Sequence, residues 1–195
     1  MPGTPRDFED VVVAIDSSIS MRAKDYAPSR FDVARTALKR FVEVRLSTCP
    51  MDKVGLVAFY EFAVPISDPT TDMKRLTAYS SKLKVLGEAT NLGDALLSGI
   101  KMLSLTGDSS IFRRKIVVIT DGTFNQGPDP AMASLYAASK GVTLDFVTMG
   151  RVETADLEII DQCVSQTKGS HMHATDPQGV FASVTKLADR RSIST

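Results

Sequence analysis

The chain has 195 residues, 23 basic and 23 acidic side chains, and a hydrophobic fraction of 43%. This length suits one domain with a substantial core and is short for two. Because the charges balance, no global field favours nucleic acid or an anionic membrane, and we expect no direct nucleic acid binding and no membrane contact. No apolar stretch has the length of a membrane span, and the N-terminus lacks a signal-peptide core. Together with two isolated cysteines, these features predict a cytoplasmic protein with reduced thiols.

Stretches typical of strands and of amphipathic helices alternate along the chain. Apolar runs predict strands over residues 11–15, 54–59, 61–65, 116–119, 142–149 and 171–174. Apolar residues at helical spacing predict helices over residues 31–46, 73–83, 91–105, 130–140, 155–166 and 177–187. The very short link before residues 61–65 indicates a hairpin and an antiparallel edge strand.

This order of elements predicts an α/β fold. We expect a doubly wound, Rossmann-like sheet of six mostly parallel strands, with one antiparallel edge strand and helices on both faces. The domain is expected to span residues 11–188. It follows an N-terminal extension over residues 1–10 and precedes a flexible tail over residues 189–195.

Oxygen-bearing side chains follow the first predicted strand directly. Asp16, Ser18 and Ser20 form a D-x-S-x-S pattern behind five apolar residues, which indicate a strand buried on both faces. The carboxyl end of such a strand is where an open α/β sheet usually places its ligand site. A carboxylate and two hydroxyls suit a hard cation such as Mg²⁺ or Mn²⁺ better than zinc or copper. A metal site is therefore the first hypothesis.

Two later segments can contribute to the same site. The strand over residues 116–119 is followed by T-D-G, so Asp121 reaches the same crevice as Asp16 if the two strands are neighbours. Thr90 stands just before the helix predicted from residue 91. Taken alone, its hydroxyl is interpreted as the N-cap of that helix; beside the other two motifs, it is interpreted as a further ligand.

The motifs D-x-S-x-S-M, G-x-x-T-N-x-G-x-A-L and T-D-G, in this order and on these elements, resemble a von Willebrand factor A domain with a complete metal-ion-dependent adhesion site. The resemblance covers essentially the whole chain. It implies that five residues hold an ion: Asp16, Ser18, Ser20, Thr90 and Asp121. In the family, the hydroxyls bind the cation directly and the aspartates act largely through bound water. The implied cofactor is Mg²⁺, with Mn²⁺ or Ca²⁺ as substitutes.

The segment between the metal loop and the first helix is similar to intracellular members of that family. Residues 21–30, with the pattern M-R-x-x-D-Y-x-P-x-R, resemble a run in the proteasomal ubiquitin receptor and, more loosely, one in a subunit of the transcription and repair helicase factor. The chain differs from many family members at Ile19, which stands in place of a glycine. A β-branched residue there disfavours positive φ and stiffens the loop.

Charge counting predicts a binding function. Two aspartates and three neutral hydroxyls balance a divalent cation, which keeps exchangeable water positions that the Asp or Glu carboxylate of a protein partner can take. Because no base or nucleophile is poised for turnover, we expect an adaptor and not an enzyme. The alternative is a metal-indifferent scaffold subunit of a larger intracellular complex, associated with a proteasome, a helicase or an AAA ATPase. A metal-dependent hydrolase is a weaker alternative.

Partner recognition is expected from the loops around the crevice, over residues 22–30, 87–90 and 123–128. Arg22 and Arg30 can steer an acidic partner electrostatically. Phe124 and Asn125 lie in the loop after T-D-G, where Phe124 is either an anchor for the partner or a locally packed side chain.

The two histidines of the chain, His171 and His173, offer a different metal site. They alternate on a predicted strand and so share one face of it. Because no third Cys, His or carboxylate ligand stands nearby in the sequence, we interpret them as surface residues.

Overall fold

A computed structural model describes residues 8–106 and 112–189. Its strands are β1 (Phe8–Asp16), β2 (Lys53–Phe59), β3 (Ala63–Thr70), β4 (Phe112–Thr120), β5 (Val142–Met149) and β6 (His171–Ala174). Its helices are α1 (Arg30–Thr48), α2 (Met73–Lys82), α3 (Leu92–Ser104), α4 (Pro130–Ser139), α5 (Thr154–Thr167) and α6 (Pro177–Ala188), with a 3₁₀ turn over Ile19–Arg22. All predicted elements are present. The edge strand β3 departs most from its predicted bounds, because it runs well past residue 65.

The strands form one six-stranded sheet in the order β3-β2-β1-β4-β5-β6. All neighbours pair in parallel except β3, which pairs antiparallel to β2 at the edge. The predicted fold class is confirmed. The chain builds one side of β1 first and then crosses to build the other side, so the strand order reverses between β1 and β4. The crevice at the carboxyl ends of these two strands is where open α/β sheets bind their ligands.

Helices cover both faces of the sheet. Along β1, Val11, Val13 and Ile15 belong to a core shared with α1, α2 and α6, while Val12 and Ala14 belong to a second core shared with α3, α4 and α5. All of these strand residues are fully buried. Since close-packed interiors deform little, the two cores hold the carboxyl end of β1 in a fixed position.

Strand β1 begins earlier than predicted, because it starts at Phe8 and includes residues expected in an N-terminal extension. The strand start carries the polar residues Glu9 and Asp10, and Glu9 is buried through an internal ion pair. Arg45 Nη1, itself fully buried, lies 2.5 Å from Glu9 Oε2 and 3.0 Å from Asp52 Oδ2. An apolar run therefore marked only the central part of this strand.

Two further predictions concern the chain ends and the cysteines. Asp189, predicted to start the tail, caps the end of α6 through a hydrogen bond from its N–H to the Thr185 carbonyl. Residues 1–7 and 190–195, which make up the rest of the predicted extension and tail, lie outside the described residues. Cys49 and Cys163 are free thiols, as predicted.

Candidate metal centre

Asp16 ends β1 and is fully buried. Its Oδ1 accepts a hydrogen bond from the Ser18 N–H at 2.9 Å, and its Oδ2 accepts one from the Thr120 hydroxyl at 2.6 Å. Thr120 is the last residue of β4, so this contact joins the carboxyl ends of β1 and β4. The predicted adjacency of the two strands is confirmed, and the Asp16 carboxylate is oriented from both sides.

Asp121 follows Thr120 directly and is also buried. Its Oδ1 accepts a hydrogen bond from the Thr123 N–H at 3.2 Å, and its Oδ2 accepts one from Arg30 Nη1 at 3.1 Å. The next residue, Gly122, has a φ of +81°, which side-chain-bearing residues rarely adopt. The glycine lets the chain turn away immediately after the carboxylate, so that Asp121 stays at the strand end.

The two carboxylates influence each other. Burial, together with the nearby charge of Asp121, raises the pKa of Asp16 from its ordinary value of 3.8 to about 7. The hydrogen bonds from Thr120 and Ser18 favour the charged form and oppose this rise. The ends of β1 and β4 thus form a buried acidic site, which a cation would stabilise.

The hydroxyls of Ser18 and Ser20 lie next to this site in the loop after β1. Their Oγ atoms are 3.0 Å apart, and Ser18 pairs with Gly87 through an isolated β-bridge. Ile19, between them, begins the 3₁₀ turn. Among the described non-glycine residues, positive φ occurs at Lys168 alone, so Ile19 fits this loop without backbone strain. The loop therefore accommodates a β-branched residue where the family has glycine.

Thr90 is not the N-cap of α3. Asn91 is the cap, since its side chain accepts a hydrogen bond from the Asp94 N–H at 2.9 Å. Thr90 is buried, its N–H donates to Asn125 Oδ1 at 3.1 Å, and its carbonyl accepts from the Asn125 N–H at 3.2 Å. Asn125 thus ties the Thr90 loop to the loop after Asp121, and the Thr90 hydroxyl is not used for capping.

Arg30 is the residue whose role the sequence did not indicate. Its Nε donates to both oxygens of Asp25 at 2.8 and 3.1 Å, and its Nη2 donates to Asp25 Oδ2 at 2.5 Å. The remaining nitrogen, Nη1, donates to Asp121. The Arg30 side chain is only 15% exposed. It is therefore part of the acidic site and not a free charge on the rim.

Tyr26 anchors the same segment to the sheet. Its buried hydroxyl donates to the Ala174 carbonyl at 2.6 Å and accepts from the Gly150 N–H at 3.1 Å. Gly150 also leaves room for Arg30, because a Cβ at this glycine would lie 2.5 Å from Arg30 Cζ. Residues 22–30, predicted only as a rim, are thus fixed against the ends of β5 and β6.

The other three predicted partner-binding residues differ in exposure. Arg22 is exposed. Asn125 is exposed but is engaged with Thr90. Phe124 is half-buried and packs against the core on the α3, α4 and α5 side of the sheet. The structure therefore favours the packing alternative for Phe124 over the anchor alternative.

Three exposed apolar side chains lie on loops around the site, and none of them was among the predicted partner-binding residues. Ile19 is 45% exposed, Leu86 56% and Phe62 60%. The Leu86 N–H donates to the Ser17 carbonyl, which places Leu86 beside the metal loop. Phe62 lies at the tip of the β2–β3 hairpin. Phe62 fell within the strand predicted over residues 61–65, whereas Ile19 and Leu86 stood in predicted loops, where an isolated apolar residue was the available signal.

The histidines take a different role from a metal pair. Thr148 Oγ1 lies 2.8 Å from His171 Nε2 and 3.0 Å from His173 Nδ1. His173 is exposed, as predicted, whereas the His171 side chain is partly buried at 14% exposure. Across residues 8–106 and 112–189, no three His, Cys, Asp or Glu side chains are grouped to hold a metal.

In that same part of the chain, no helix combines the length and apolarity needed to cross a membrane.

The donor chemistry of the predicted site fits a hard divalent cation. Its side chains are two carboxylates and three hydroxyls, and they come from three segments: the loop after β1, the loop before α3 and the end of β4. Every donor atom is oxygen, which is the ligand preferred by Mg²⁺, Mn²⁺ and Ca²⁺. Burial and, second to it, the charge of Asp121 raise the pKa of Asp16, and a bound cation would favour the ionised carboxylate against both effects.

Solved structures with the same fold are numerous. The conserved hypothetical protein BatB from Bacteroides thetaiotaomicron aligns with a TM-score of 0.78 and 22% identity over 96% of this chain and 100% of that one. A serine-substituted aerotolerance-related membrane protein from Bacteroides fragilis aligns with a TM-score of 0.75 and 18% identity, covering 92% of this chain and 98% of that one. The SpRpn10 VWA domain aligns with a TM-score of 0.75 and 19% identity, covering 89% and 92%. At these identities the likeness shows the fold alone.

Curated relatives and a family model give the closer relationship. A UPF0353 protein from Nocardia farcinica is 30% identical over 171 residues, covering 81% of this chain and 50% of the relative. One from Mycolicibacterium vanbaalenii is 29% identical over 157 residues, covering 75% and 46%. The chain therefore spans about half the length of these relatives. The model of the von Willebrand factor type A domain matches residues 11–123, which include all five candidate ligands. The chain belongs to the von Willebrand factor type A domain family.

Proposed function

We propose that this chain is a divalent-metal-dependent adaptor module. Mg²⁺, or Mn²⁺ or Ca²⁺ in its place, is held at the carboxyl ends of β1 and β4 and accepts an Asp or Glu carboxylate of a protein partner. Domains of this family are generally protein-interaction modules. The observation that supports metal dependence most strongly is the pair of buried carboxylates, Asp16 and Asp121, at the ends of adjacent strands.

The side chains divide the work of such a site. Asp16 and Asp121 provide the negative charge, while Ser18, Ser20 and Thr90 provide neutral oxygen ligands from two other loops. When bound, a divalent ion supplies an electrophilic centre with exchangeable water positions. Because the hydroxyls add no charge, the site keeps the capacity to attract one further carboxylate, and this is the group that a partner contributes.

The surface around the site supports a partner of mixed chemistry. Ile19, Phe62 and Leu86 are exposed apolar side chains on the surrounding loops, and Arg22 is an exposed cation. We propose that the partner presents its acidic residue among apolar side chains. The apolar contacts provide affinity, while the carboxylate and Arg22 provide orientation. Phe124, which packs against the core, and Asn125, which is hydrogen-bonded to Thr90, support these loops.

A metal-indifferent scaffold is the second candidate function, and two observations favour it. Asp121 already has a cation of the chain's own, Arg30. In addition, α4 exposes Met132, Leu135 and Tyr136 at helical spacing, which makes an apolar face on a helix that carries none of the candidate ligands. Under this alternative, a neighbouring subunit covers this face of α4, and the acidic site only stabilises the carboxyl ends of β1 and β4.

Binding without catalysis is part of the proposal. Both histidines are hydrogen-bonded to Thr148, and neither forms a hydrogen bond with a candidate ligand within residues 8–106 and 112–189. A screen with phosphate esters in Mg²⁺ tests for the hydrolase alternative, and turnover would overturn this part of the proposal. We also propose a cytoplasmic location, which cell fractionation tests.

The experiment that separates adaptor from scaffold is a pull-down from native lysate, run in parallel in Mg²⁺ and in EDTA. The bait is the wild-type chain, Asp16→Ala, or the control Asp68→Ala, which removes an exposed carboxylate. The adaptor proposal predicts a partner that is retained in Mg²⁺ by wild type and by the control, released by EDTA, and lost from folded Asp16→Ala. Equal retention by Asp16→Ala with or without EDTA contradicts it and supports the scaffold.

A further inference from the structure

Arg30 is bound by carboxylates on both sides. Three of its hydrogen bonds go to Asp25 and one goes to Asp121. Asp25 is substantially exposed, while Asp121 is almost fully buried. The guanidinium therefore links a solvent-facing carboxylate to one of the two buried carboxylates of the candidate metal centre.

This arrangement is fixed by its surroundings. Arg30 begins α1 after the N-cap Ser29, and its N–H donates to the Ala23 carbonyl at 2.9 Å, which closes the loop that carries Asp25. The guanidinium lies against Gly150, where an added Cβ would lie 2.5 Å from Arg30 Cζ and would displace it. The position of the positive charge beside Asp121 is thus a feature of the folded loop.

We propose, resting on the metal-dependent function above, that Arg30 is a tethered counter-cation that competes with the divalent ion for Asp121. Asp25 is the tether: by binding two nitrogens of the guanidinium, it limits how strongly Arg30 competes. Together the two residues keep the metal site weak and its ion exchangeable.

The charges explain the direction of each effect. Without an ion, Arg30 neutralises Asp121. A bound ion must weaken that charge-assisted hydrogen bond and must also tolerate a guanidinium close by, and both effects lower affinity. Asp25 occupies Nε and Nη2, so only Nη1 is left for Asp121. If Asp25 loses its charge, the arginine fork is free to bind Asp121 with two nitrogens and to compete more strongly.

Two substitutions in the same ion pair therefore have opposite effects on Mg²⁺ affinity, measured by calorimetry on the full chain. Arg30→Gln is expected to bind Mg²⁺ about tenfold more tightly than wild type, which corresponds to 1.4 kcal/mol. Asp25→Asn is expected to bind about threefold more weakly, because its fork competes with two nitrogens in place of one. Arg35→Gln removes another arginine of α1, one paired with Asp32, and is expected to leave the affinity unchanged.

Thermal melts give a readout that does not depend on the fit of a binding curve. In EDTA, Arg30→Gln is expected to melt below wild type, because Asp121 loses its partner. In saturating Mg²⁺, the difference is expected to shrink, because the ion then stabilises Asp121 in both proteins. Arg30→Lys keeps the charge but not the fork that spans both carboxylates, and its affinity is expected to lie between those of wild type and Arg30→Gln.

The outcomes distinguish this proposal from the proposed function. If wild type binds Mg²⁺ and Arg30→Gln binds equally or more weakly, the counter-cation proposal is overturned and the metal site stands. If Arg30→Gln does not fold, Arg30→Lys replaces it in this test, and Mg²⁺ binding by Arg30→Lys that is equal to or weaker than that of wild type overturns the counter-cation proposal. Binding by Arg30→Gln but not by wild type supports the proposal in its strongest form. If neither protein binds a divalent ion, both proposals fail.

Discussion

Replacing Asp16 by asparagine is expected to stabilise the metal-free protein, although Asp16 is the central residue of the candidate site. The native fold buries this carboxylate beside a second one, so its ionised form is disfavoured there. An asparagine has nearly the same shape and no charge. It can keep the hydrogen bond from the Ser18 N–H, and it loses the acceptor that the Thr120 hydroxyl now uses.

The size of the effect follows from the pKa. The pKa of Asp16 rises from 3.8 in the unfolded chain to about 7 in the folded protein. At 1.36 kcal/mol per pKa unit, holding this carboxylate ionised at neutral pH costs the folded state about 4 kcal/mol of stability. Losing the hydrogen bond from Thr120 destabilises Asp16→Asn by about 1 kcal/mol and offsets part of this gain. The net gain for Asp16→Asn is therefore about 3 kcal/mol, or roughly 6–12 °C in melting temperature for a domain of this size.

The same shift predicts a pH dependence with a definite sign. Because the pKa of Asp16 is raised on folding, the native state binds a proton that the unfolded state has released in the range between pH 3.8 and about 7. The contribution of Asp16 to stability therefore falls as the pH rises through this range and is constant above it. In Asp16→Asn this contribution is absent, so the two proteins converge in stability at pH 4 and diverge towards pH 7.5.

Urea denaturation in EDTA between pH 4 and pH 8, followed by circular dichroism, measures the difference. Asp68→Asn, a change at an exposed aspartate, is the matched control and is expected to follow wild type throughout. If Asp16→Asn is as stable as wild type or less stable at pH 7.5 in EDTA, the electrostatic description of the site is refuted.

Two further substitutions test separate parts of the molecule. Asn125→Ala removes the side-chain acceptor of the Thr90 N–H and is expected to lower Mg²⁺ affinity about tenfold in calorimetry while leaving the melting temperature in EDTA nearly unchanged. An unchanged affinity would show that Thr90 needs no such support. Arg45→Met removes the buried cation that is paired with Glu9 and Asp52, and is expected to cost about 3–5 kcal/mol in urea denaturation without changing Mg²⁺ affinity. A loss below 1 kcal/mol would contradict this account of the buried ion cluster.

The fold followed from the sequence because parallel strands buried on both faces are written as continuous apolar runs. The start of β1 did not follow, since Glu9 is polar and its burial depends on Arg45, which lies on another element. Nothing in the local pattern distinguishes such a residue from a solvent-exposed one. Tertiary ion pairs therefore account for the missed strand boundary.

The site was predictable where its residues stand at strand ends and was not where contacts between distant segments decide. Asp16 and Asp121 follow apolar runs, so their positions were determined by strand order. The choice of Asn91 over Thr90 as the helix cap was not, since both residue types cap helices. Arg30 contacts Asp121 across 91 residues of sequence, a contact that spacing within one segment does not reveal.

Titration of Mg²⁺ into the metal-free wild-type chain, with Asp16→Ala beside it, tests the central claim most directly. Calorimetry is expected to show one site in the wild type and none in Asp16→Ala, with both proteins folded by circular dichroism, and added Mg²⁺ is expected to raise the melting temperature of the wild type only. Folded wild-type protein that binds neither Mg²⁺ nor Mn²⁺ would contradict the account. So would a site selective for Zn²⁺ that is lost on replacing His171 and His173.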